Sequence, residues 1–379
     1  MSPLPRPTAR RVGLPSALAR LGRGAWARPC RSALAALLLG ACNAGPPSAE
    51  GVPKAPPPVT SVAVAPKTAP SAVAAPSAVA VPPSAAAPAA AAPASVPVPD
   101  DFRYPASARL IAIGDLHGDL AATRAALRLG GAIDADDRWV GGTLTVVQTG
   151  DEIDRGDEDR DILDRFERLA GLARAAGGRV IALNGNHEVM NVQGDFRYVT
   201  PGAVSPFAGV SPRSPLARGA APDFAARAAA FLPGGAYALK LAQRDVIAVV
   251  GDSAFVHGGV LPEHVSYGIA RLNHEVRDWM KNGPAAAPRA ISNERGPVWL
   301  RDYALDPVSA ETCAVLGQAL EGLGVRRLVV GHTTQKTGIS SACGDRVYRI
   351  DVGLARFYGG PLQVLEIKAG VVRILRGQR

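Results

Sequence analysis

Four of the six histidines in this 379-residue chain stand in glycine-flanked polar clusters, where the sequence could do chemistry. The clusters are Gly-Asp-Leu-His-Gly-Asp around His117, Gly-Asn-His-Glu around His187, His-Gly-Gly at His257 and Gly-His-Thr around His332. A single histidine is more often structural than a ligand, but four interleaved with Asp115, Asp151 and Asn186 predict a metal site. Carboxylate, imidazole and amide-oxygen ligands suit manganese, iron or zinc better than an all-oxygen calcium cage.

Short apolar runs of strand length position these clusters. They cover residues 110–113, 144–147, 180–183, 246–250, 254–256, 328–330 and 347–350. Four runs lead into polar clusters, and buried strands that end in this way bring polar groups to one rim of an α/β sheet. Helical patterns cover 120–129 and 162–175, and residues 361–376 predict a terminal hairpin. Six prolines within 194–235 predict an irregular insertion.

Five motifs, in order, resemble those of the phosphoprotein phosphatase branch of the calcineurin-like metallophosphatases. They are Gly114-Asp115-Leu116-His117-Gly118, Gly150-Asp151-Glu152-Ile153-Asp154-Arg155-Gly156, Gly185-Asn186-His187-Glu188, His257-Gly258-Gly259 and Gly331-His332-Thr333, and they cover most of residues 108–360. Two further stretches are similar to the bacterial Shewanella-like subgroup: Gly296-Pro297-Val298-Trp299-Leu300-Arg301, and Gly331-His332-Thr333-Thr334-Gln335 with Ile350-Asp351-Val352-Gly353 downstream. The resemblance implies an α/β fold with a β-sandwich core flanked by helices.

The resemblance also implies two metal ions, manganese, iron or zinc. The first would be bound by Asp115, His117 and Asp151. Asp151 would bridge to the second ion, whose ligands would be completed by Asn186, His257 and His332. Two cations can clamp a phosphate and lower the pKa of a bridging water, so the implied reaction is in-line attack by a bridging hydroxide without a phosphoenzyme.

The same resemblance assigns residues to catalysis. His187 would protonate the leaving oxygen, and Asp154 would orient and charge its imidazole. Arg155 would grip the non-bridging oxygens, because a guanidinium fork matches phosphate geometry. Arg301 is our choice for the second phosphate-binding arginine, with Arg295 as the rival.

Three functions stay open at this point. The Asp-Arg-Gly and Gly-Asn-His-Glu motifs favour a protein phosphatase over nucleotidases and cyclic phosphodiesterases, and the subgroup resemblance implies phosphotyrosine, with phosphoserine and phosphothreonine possible. A small phosphomonoester is another possible substrate. A dinucleoside-polyphosphate hydrolase shares much of the motif set. A non-catalytic phospho-binding module is disfavoured, since such proteins usually lose a ligand or the acid histidine.

The formal net charge of +9 is concentrated at the N-terminus. Residues 1–42 contain seven arginines and no acid, whereas residues 101–379 contain 33 bases and 31 acids. A nearly neutral domain does not support nucleic-acid binding, which normally needs a basic patch on the domain itself. The apolar runs exclude a wholly disordered protein.

The first hundred residues predict export and a tether. An arginine-rich stretch leads into a short apolar run at 33–39 that is well below the roughly 20 residues of a bilayer span, so it predicts a secretory signal. Leu39-Gly40-Ala41-Cys42 resembles a bacterial lipobox with Cys42 lipidated, although an ordinary signal with an incidental cysteine stays open. Residues 43–100 contain 15 Pro and 19 Ala, which predicts an extended, disordered tether. We therefore expect a periplasmic lipoprotein, anchored to the outer membrane only by its lipid, with residues 101–379 as the metallophosphatase domain.

Cys313 and Cys343 are the cysteines left after Cys30 and Cys42 are assigned to the signal region. Neither has metal-ligand spacing, and two cysteines in an exported domain can pair. We expect a disulfide that closes a loop of about 30 residues.

Overall fold

The computed structural model describes residues 102–378 of the chain. The predicted signal with Cys42 and the Pro/Ala-rich tether lie outside the described residues. The described part is α/β, with two β-sheets and eight α-helices.

The five-stranded sheet carries three of the motif-bearing strands. Its order is β11 (Val371–Arg376), β10 (Gln363–Lys368), β2 (Arg109–Ile113), β3 (Thr145–Gln148) and β4 (Arg179–Ala182). Strands β2, β3 and β4 are parallel, and their register aligns Ile113 with Gln148 and Gln148 with Ala182. The three polar clusters therefore leave the sheet at one edge.

The six-stranded sheet carries the other two motifs. Its order is β1 (Arg103–Tyr104), β5 (Ile247–Val250), β6 (Ser253–Val256), β7 (Arg327–Val330), β9 (Val347–Arg349) and β8 (Ser340–Ala342). Strands β6 and β7 are parallel and pair Val256 with Val330. His257 and Gly331 thus follow their strands at the same level.

The two sheets share a hydrophobic core. Val250, Phe255 and Val329 of the six-stranded sheet belong to the same buried cluster as Ile111 and Val147 of the five-stranded sheet. The alternate residues of the six-stranded sheet, such as Val256 and Val330, belong to a second core, as expected from the two-residue repeat of a strand. The predicted β-sandwich flanked by helices is confirmed.

Helices cover the outer faces. They are α1 (Leu120–Leu129), α2 (Asp159–Ala175), α3 (Asn186–Gln193), α4 (Ala225–Phe231), α5 (Ala236–Leu241), α6 (Pro262–Tyr267), α7 (Ile269–Asn282) and α8 (Ala310–Leu323). Leu127 of α1 and Phe166 of α2 pack with the five-stranded sheet, whereas Leu241 of α5 and Trp279 of α7 pack with the six-stranded sheet. Between residues 102 and 378, no helix combines the length and hydropathy needed to cross a bilayer.

The segment 194–235 is largely irregular, as its prolines indicate. It contains four three-residue 3₁₀ helices, at Pro201–Ala203, Ser205–Phe207, Pro215–Ala217 and Pro222–Phe224, followed by the α4 helix. Phe207 and Phe231 pack edge to face at 4.9 Å and both lie in the core of the six-stranded sheet's outer face. The segment is therefore packed against the domain rather than projecting from it.

Candidate metal centre

Several loop residues at the ends of the strands have a left-handed backbone, with positive φ. Nine non-glycine residues among the described ones have positive φ, and five of them are predicted site residues: His117, Asp151, Asp154, Arg155 and His332. Left-handed backbone at such residues is unfavourable and persists where the surrounding structure enforces it, commonly at functional sites. Gly150, with φ of 94°, is also required by space, since a Cβ there would lie 2.5 Å from the backbone nitrogen of Gly185.

The strand ends bring buried histidines and aspartates into two adjoining groups. His117 and His187 form one group with Asp151, and His257 and His332 form the other with the same Asp151. Within each group the donor atoms lie within 4.8 Å of one another. Asp115 joins through its Oδ2, which lies 3.8 Å from His117 Nε2.

Backbone carbonyls orient the imidazoles. His117 Nδ1 lies 3.2 Å from the Ile153 carbonyl, and His332 Nε2 lies 3.1 Å from the Trp299 carbonyl. Because a carbonyl only accepts, these nitrogens carry the protons and the opposite nitrogens keep free lone pairs. Outer contacts of this kind fix the tautomer of metal-binding histidines.

Burial keeps two of these imidazoles neutral, which is the form that binds metal. It lowers the pKa of His117 to about 3, although the Asp151 carboxylate opposes the shift. It lowers the pKa of His332 to about 2, assisted by the positive charges of His257 and Arg301.

The environment of Asp151 calls for a cation. Burial would raise the pKa of Asp151, but the imidazoles of His257 and His187 outweigh it and set the pKa well below the usual value. Burial lowers the pKa of His257, but Asp151 and Asp115 outweigh it and raise this pKa to about 9. The protonated Nε2 then lies 2.8 Å from Asn186 Oδ1 and 3.2 Å from Asp151 Oδ2. A bound metal ion would supply the positive charge that Asp151 and Asp115 favour here, so the residues fit the expected metals.

Glu188 holds the loops around these ligands. Its carboxylate accepts the backbone N–H groups of Asp151 at 2.8 Å, Glu152 at 2.9 Å and Gly185 at 2.7 Å.

Asp115 accepts the His332 N–H at 3.2 Å. Burial and the nearby Asp351 carboxylate raise the pKa of Asp115 well above its usual value. The Asp351 carboxylate so close to Asp115 again favours a bound cation.

The predicted acid and its partner are in contact. His187 Nδ1 lies 2.7 Å from Asp154 Oδ2, and its Nε2 points toward Asp151 at 3.8 Å. Burial lowers the pKa of His187, but Asp151 and Asp154 outweigh it, so the pKa is raised. This arrangement leaves Nε2 facing the metal groups.

Two partners of Asp154 were missed by sequence reasoning. Asn191 donates to both Asp154 oxygens at 3.0 Å, and the fully buried Arg227 donates to Oδ1 at 2.9 Å. Arg227 also pairs with Asp159 at 2.6 Å. Asn191 follows His187 by one helical turn of α3, which is a signal that sequence spacing could have provided. Arg227 is a lone arginine in an alanine-rich stretch and carries no such signal.

The structure brings two of the three predicted phosphate-binding arginines to the centre. Arg155 Nε is buried without a hydrogen-bond partner among residues 102–378, and the charge of Arg155 acts to lower the pKa values of both His117 and His187, which places it beside the centre. Arg301 donates to the His332 carbonyl at 3.0 Å. Arg295 is exposed, and its guanidinium pairs with Glu263 at 3.2 Å instead of pointing to this cluster.

Known proteins resemble this chain in sequence and in fold. The family model described as calcineurin-like phosphoesterase matches residues 108–336. Shewanella-like protein phosphatase 2 of Arabidopsis thaliana is 41% identical over 69% of this chain and 75% of its own length. Shewanella-like protein phosphatase 1 of Plasmodium berghei is 29% identical over 71% of this chain and 75% of its own length. The solved cold-active protein-tyrosine phosphatase of a psychrophilic Shewanella species has a TM-score of 0.57 at 24% identity, covering 73% of this chain and 82% of that one. This last likeness concerns the fold alone.

Proposed function

We propose that this chain uses two bound metal ions to remove phosphate from proteins. It belongs to the calcineurin-like phosphoesterase family and is a metal-dependent phosphatase. The observation that carries the two-metal proposal is the position of Asp151, whose Oδ2 lies 3.8 Å from His117 Nε2 on one side and 3.2 Å from His257 Nε2 on the other. One carboxylate between two sets of imidazoles is placed to bridge a pair of cations. Manganese, iron and zinc all suit these ligands, and manganese is the ion we propose first.

The residues around the centre support a defined division of labour. Bound cations would supply Lewis acidity toward the phosphate and lower the pKa of a nearby water. Arg155 and Arg301 bind the non-bridging phosphate oxygens, which places the phosphorus in front of His187. His187 releases the proton on Nε2 to the leaving oxygen, while Asp154 accepts the Nδ1–H bond and keeps the ring in position. Asn191 and Arg227 hold Asp154 in turn.

We propose a phosphotyrosine side chain as the preferred substrate, with phosphoserine and phosphothreonine as the alternatives. The support is the resemblance to the bacterial Shewanella-like subgroup in Gly296-Pro297-Val298-Trp299-Leu300-Arg301. Arg301 of this stretch reaches the His332 loop, which is a second and independent reason to connect the stretch with the centre. A small phosphomonoester, or a dinucleoside polyphosphate, would be the competing substrate.

Parallel assays of the full-length, manganese-loaded protein test this proposal. Phosphate release is measured from phosphotyrosine and phosphoserine peptides and from diadenosine tetraphosphate. The proposal expects peptide turnover, while absence of turnover on every phosphomonoester with metal bound would refute it. Asp115→Asn and His332→Ala should lose both metal and activity. His274→Ala is the matched control, because His274 is exposed and pairs with Asp278 on the surface.

We also propose that the protein is exported and lipidated at Cys42, with the domain held off the outer membrane by residues 43–100. The support is the lipobox-like Leu39-Gly40-Ala41-Cys42 and the Pro/Ala composition that follows it. Its only membrane contact would be the lipid, and its substrates would lie outside the cytoplasm.

A further inference from the structure

Three exposed aromatic rings surround the guanidinium of Arg155. The carbon at its centre lies 4.5 Å from the ring centroid of Tyr198, 5.1 Å from Phe357 and 5.4 Å from Tyr358. These three rings, which we call the aromatic collar, are 38%, 61% and 37% exposed. Adjoining exposed aromatic rings beside a site form an apolar patch that can contact an apolar part of a ligand.

The collar reaches both functional histidines. The Tyr358 ring lies 5.3 Å from the ring of His117, a predicted metal ligand, and the Tyr198 ring lies 5.1 Å from that of His187, the predicted acid. A leaving group protonated by His187 departs on the His187 side, which is the side where Tyr198 stands. Phe357 extends the same aromatic surface outward, since its ring packs edge to face on Tyr358 at 5.0 Å.

We propose that Tyr198 and Phe357 are the residues that make this enzyme prefer phosphate esters of an aromatic ring over esters of an alkyl alcohol. The inference rests on the proposed phosphatase function and identifies the residues that select its substrate. A phosphotyrosyl ring is long and flat, so it spans from the phosphate at Arg155 to the collar and stacks there. A phosphoseryl side chain carries its phosphate one carbon from the backbone and presents no ring to the collar.

A purely supporting role for the collar makes a different prediction. The rings also stack on Arg155, and cation–π contacts of this kind hold a guanidinium in place. If that were their only role, removing one ring would weaken the binding of every phosphate ester alike. The ratio between aryl and alkyl substrates therefore separates selection from support.

The test compares two peptides of identical sequence that differ only in phosphotyrosine or phosphoserine. Phe357→Leu and Tyr198→Leu keep an apolar side chain and remove the ring. In the full-length, manganese-loaded protein, each should lower kcat/KM for the phosphotyrosine peptide about tenfold, with the phosphoserine value within about threefold of wild type. Tyr267→Leu is the matched control, because Tyr267 is equally exposed at 38% and bonds Glu275 on the surface.

A binding measurement keeps this inference separate from the proposed function. Calorimetric titration with phenylphosphonate and methylphosphonate requires no turnover and compares the same aryl and alkyl groups. Wild type should bind phenylphosphonate the more tightly, and Phe357→Leu should remove most of that difference. Equal losses for both ligands, or no loss for either, would overturn the role of the collar. A wild-type protein that binds the phosphonates but hydrolyses no phosphomonoester would instead overturn the proposed function.

Discussion

His187 is the residue whose role can be separated from metal binding. Asp154 contacts its Nδ1, and the resemblance assigns His187 to acid catalysis rather than to the metal ligands, so we predict that its Nε2 transfers a proton. His187→Ala should retain the metal and lower kcat about 10²–10⁴-fold, which is the usual contribution of a general acid. The loss should be largest for alkyl phosphates, whose leaving oxygens most need a proton.

Metal content and a series of aryl phosphates with different leaving-group pKa values check this prediction. The variant should show a steeper dependence of rate on leaving-group pKa than wild type. Loss of metal in His187→Ala, or an equal rate loss across the series, would make His187 a ligand instead of an acid.

Arg227 is a positioning residue with a structural cost of removal. It is buried between Asp154 and Asp159, with Asn191 as a further partner through a bond of 2.7 Å. Arg227→Met should destabilise the domain by about 3–5 kcal/mol, because it leaves the buried Asp154 carboxylate without its cation. Arg227→Lys restores the charge but not the planar fork, so it should recover stability more fully than kcat.

Denaturant unfolding and kcat on one aryl phosphate measure the two effects. Arg218→Met is the control, since Arg218 is exposed in the same segment. A kcat unchanged in Arg227→Lys would show that the orientation of Asp154 does not depend on the guanidinium fork.

Asp159 should make stability depend on pH. Burial raises the pKa of Asp159 from 3.8 to about 7, against the opposing charge of Arg227. The folded state therefore binds a proton that the unfolded state has already lost between about pH 4 and pH 7. The contribution of Asp159 to the unfolding free energy should decline as pH rises across this window and then level off.

Denaturant unfolding at successive pH values compares wild type with Asp159→Asn. The stability of wild type relative to the variant should fall from pH 4.5 to pH 7. A difference between the two proteins that stays constant with pH would contradict the raised pKa.

At the scale of elements, strand ends were predictable and short edge strands were not. The apolar runs before Gly114 and Gly331 appear as β2 and β7 within one residue, because buried parallel strands are continuously apolar. Strands β1 and β8 have two and three residues and exist only through pairing with β5 and β9, which no local pattern reveals. Helix α2 begins at Asp159 rather than at 162, because its first turn is polar and so lacks the apolar pattern used to predict it. Asp159 in that turn is held by Arg227.

In the site, too, features tied to local motifs were predictable, whereas features that depend on tertiary contacts were not. Motif order predicted which side chains come together, since each predicted ligand follows a strand of one of the two sheets. The support of Asp154 by Arg227 depends on how the irregular segment folds back, so it could not be predicted. Arg295 lies near a motif in sequence, but its guanidinium pairs with Glu263 at the surface.

A disulfide links helix α8 to the hairpin of β8 and β9. It joins Cys313 and Cys343, which are 30 residues apart. By loop-closure entropy such a link stabilises a domain by about 3–4 kcal/mol. Cys343→Ser should lower the unfolding free energy by that amount, and reduction of wild type should have the same effect.

Thiol titration of the native protein is the direct check. Alkylation without reductant should leave Cys313 and Cys343 unmodified, and prior reduction should expose both. Labelling of either cysteine in the unreduced protein would show that the link does not form in solution.

At the scale of the whole molecule, positive charge has two separate roles. Seven arginines lie in residues 1–42, and the predicted signal cleavage at Cys42 would remove them from the mature protein. Residues 101–379 hold 33 bases against 31 acids, so the domain itself has little net attraction for polyanions. Its useful positive charge is local, at Arg155 and Arg301 beside the predicted cations, where a single phosphate would meet it.

This separation predicts that anchoring and catalysis can be uncoupled by one substitution. When the chain is expressed in a Gram-negative bacterium, Cys42→Ser should move the protein from the membrane fraction to a soluble exported fraction, because acyl chains supply the anchoring energy at about 0.8 kcal/mol for each buried methylene. Phosphatase activity per molecule should be unchanged, since the domain carries all the site residues. Cys30→Ser is the matched control and should leave the membrane fraction intact. If wild type is already in the soluble exported fraction and Cys42→Ser does not change this, the alternative of an ordinary signal with an incidental cysteine holds.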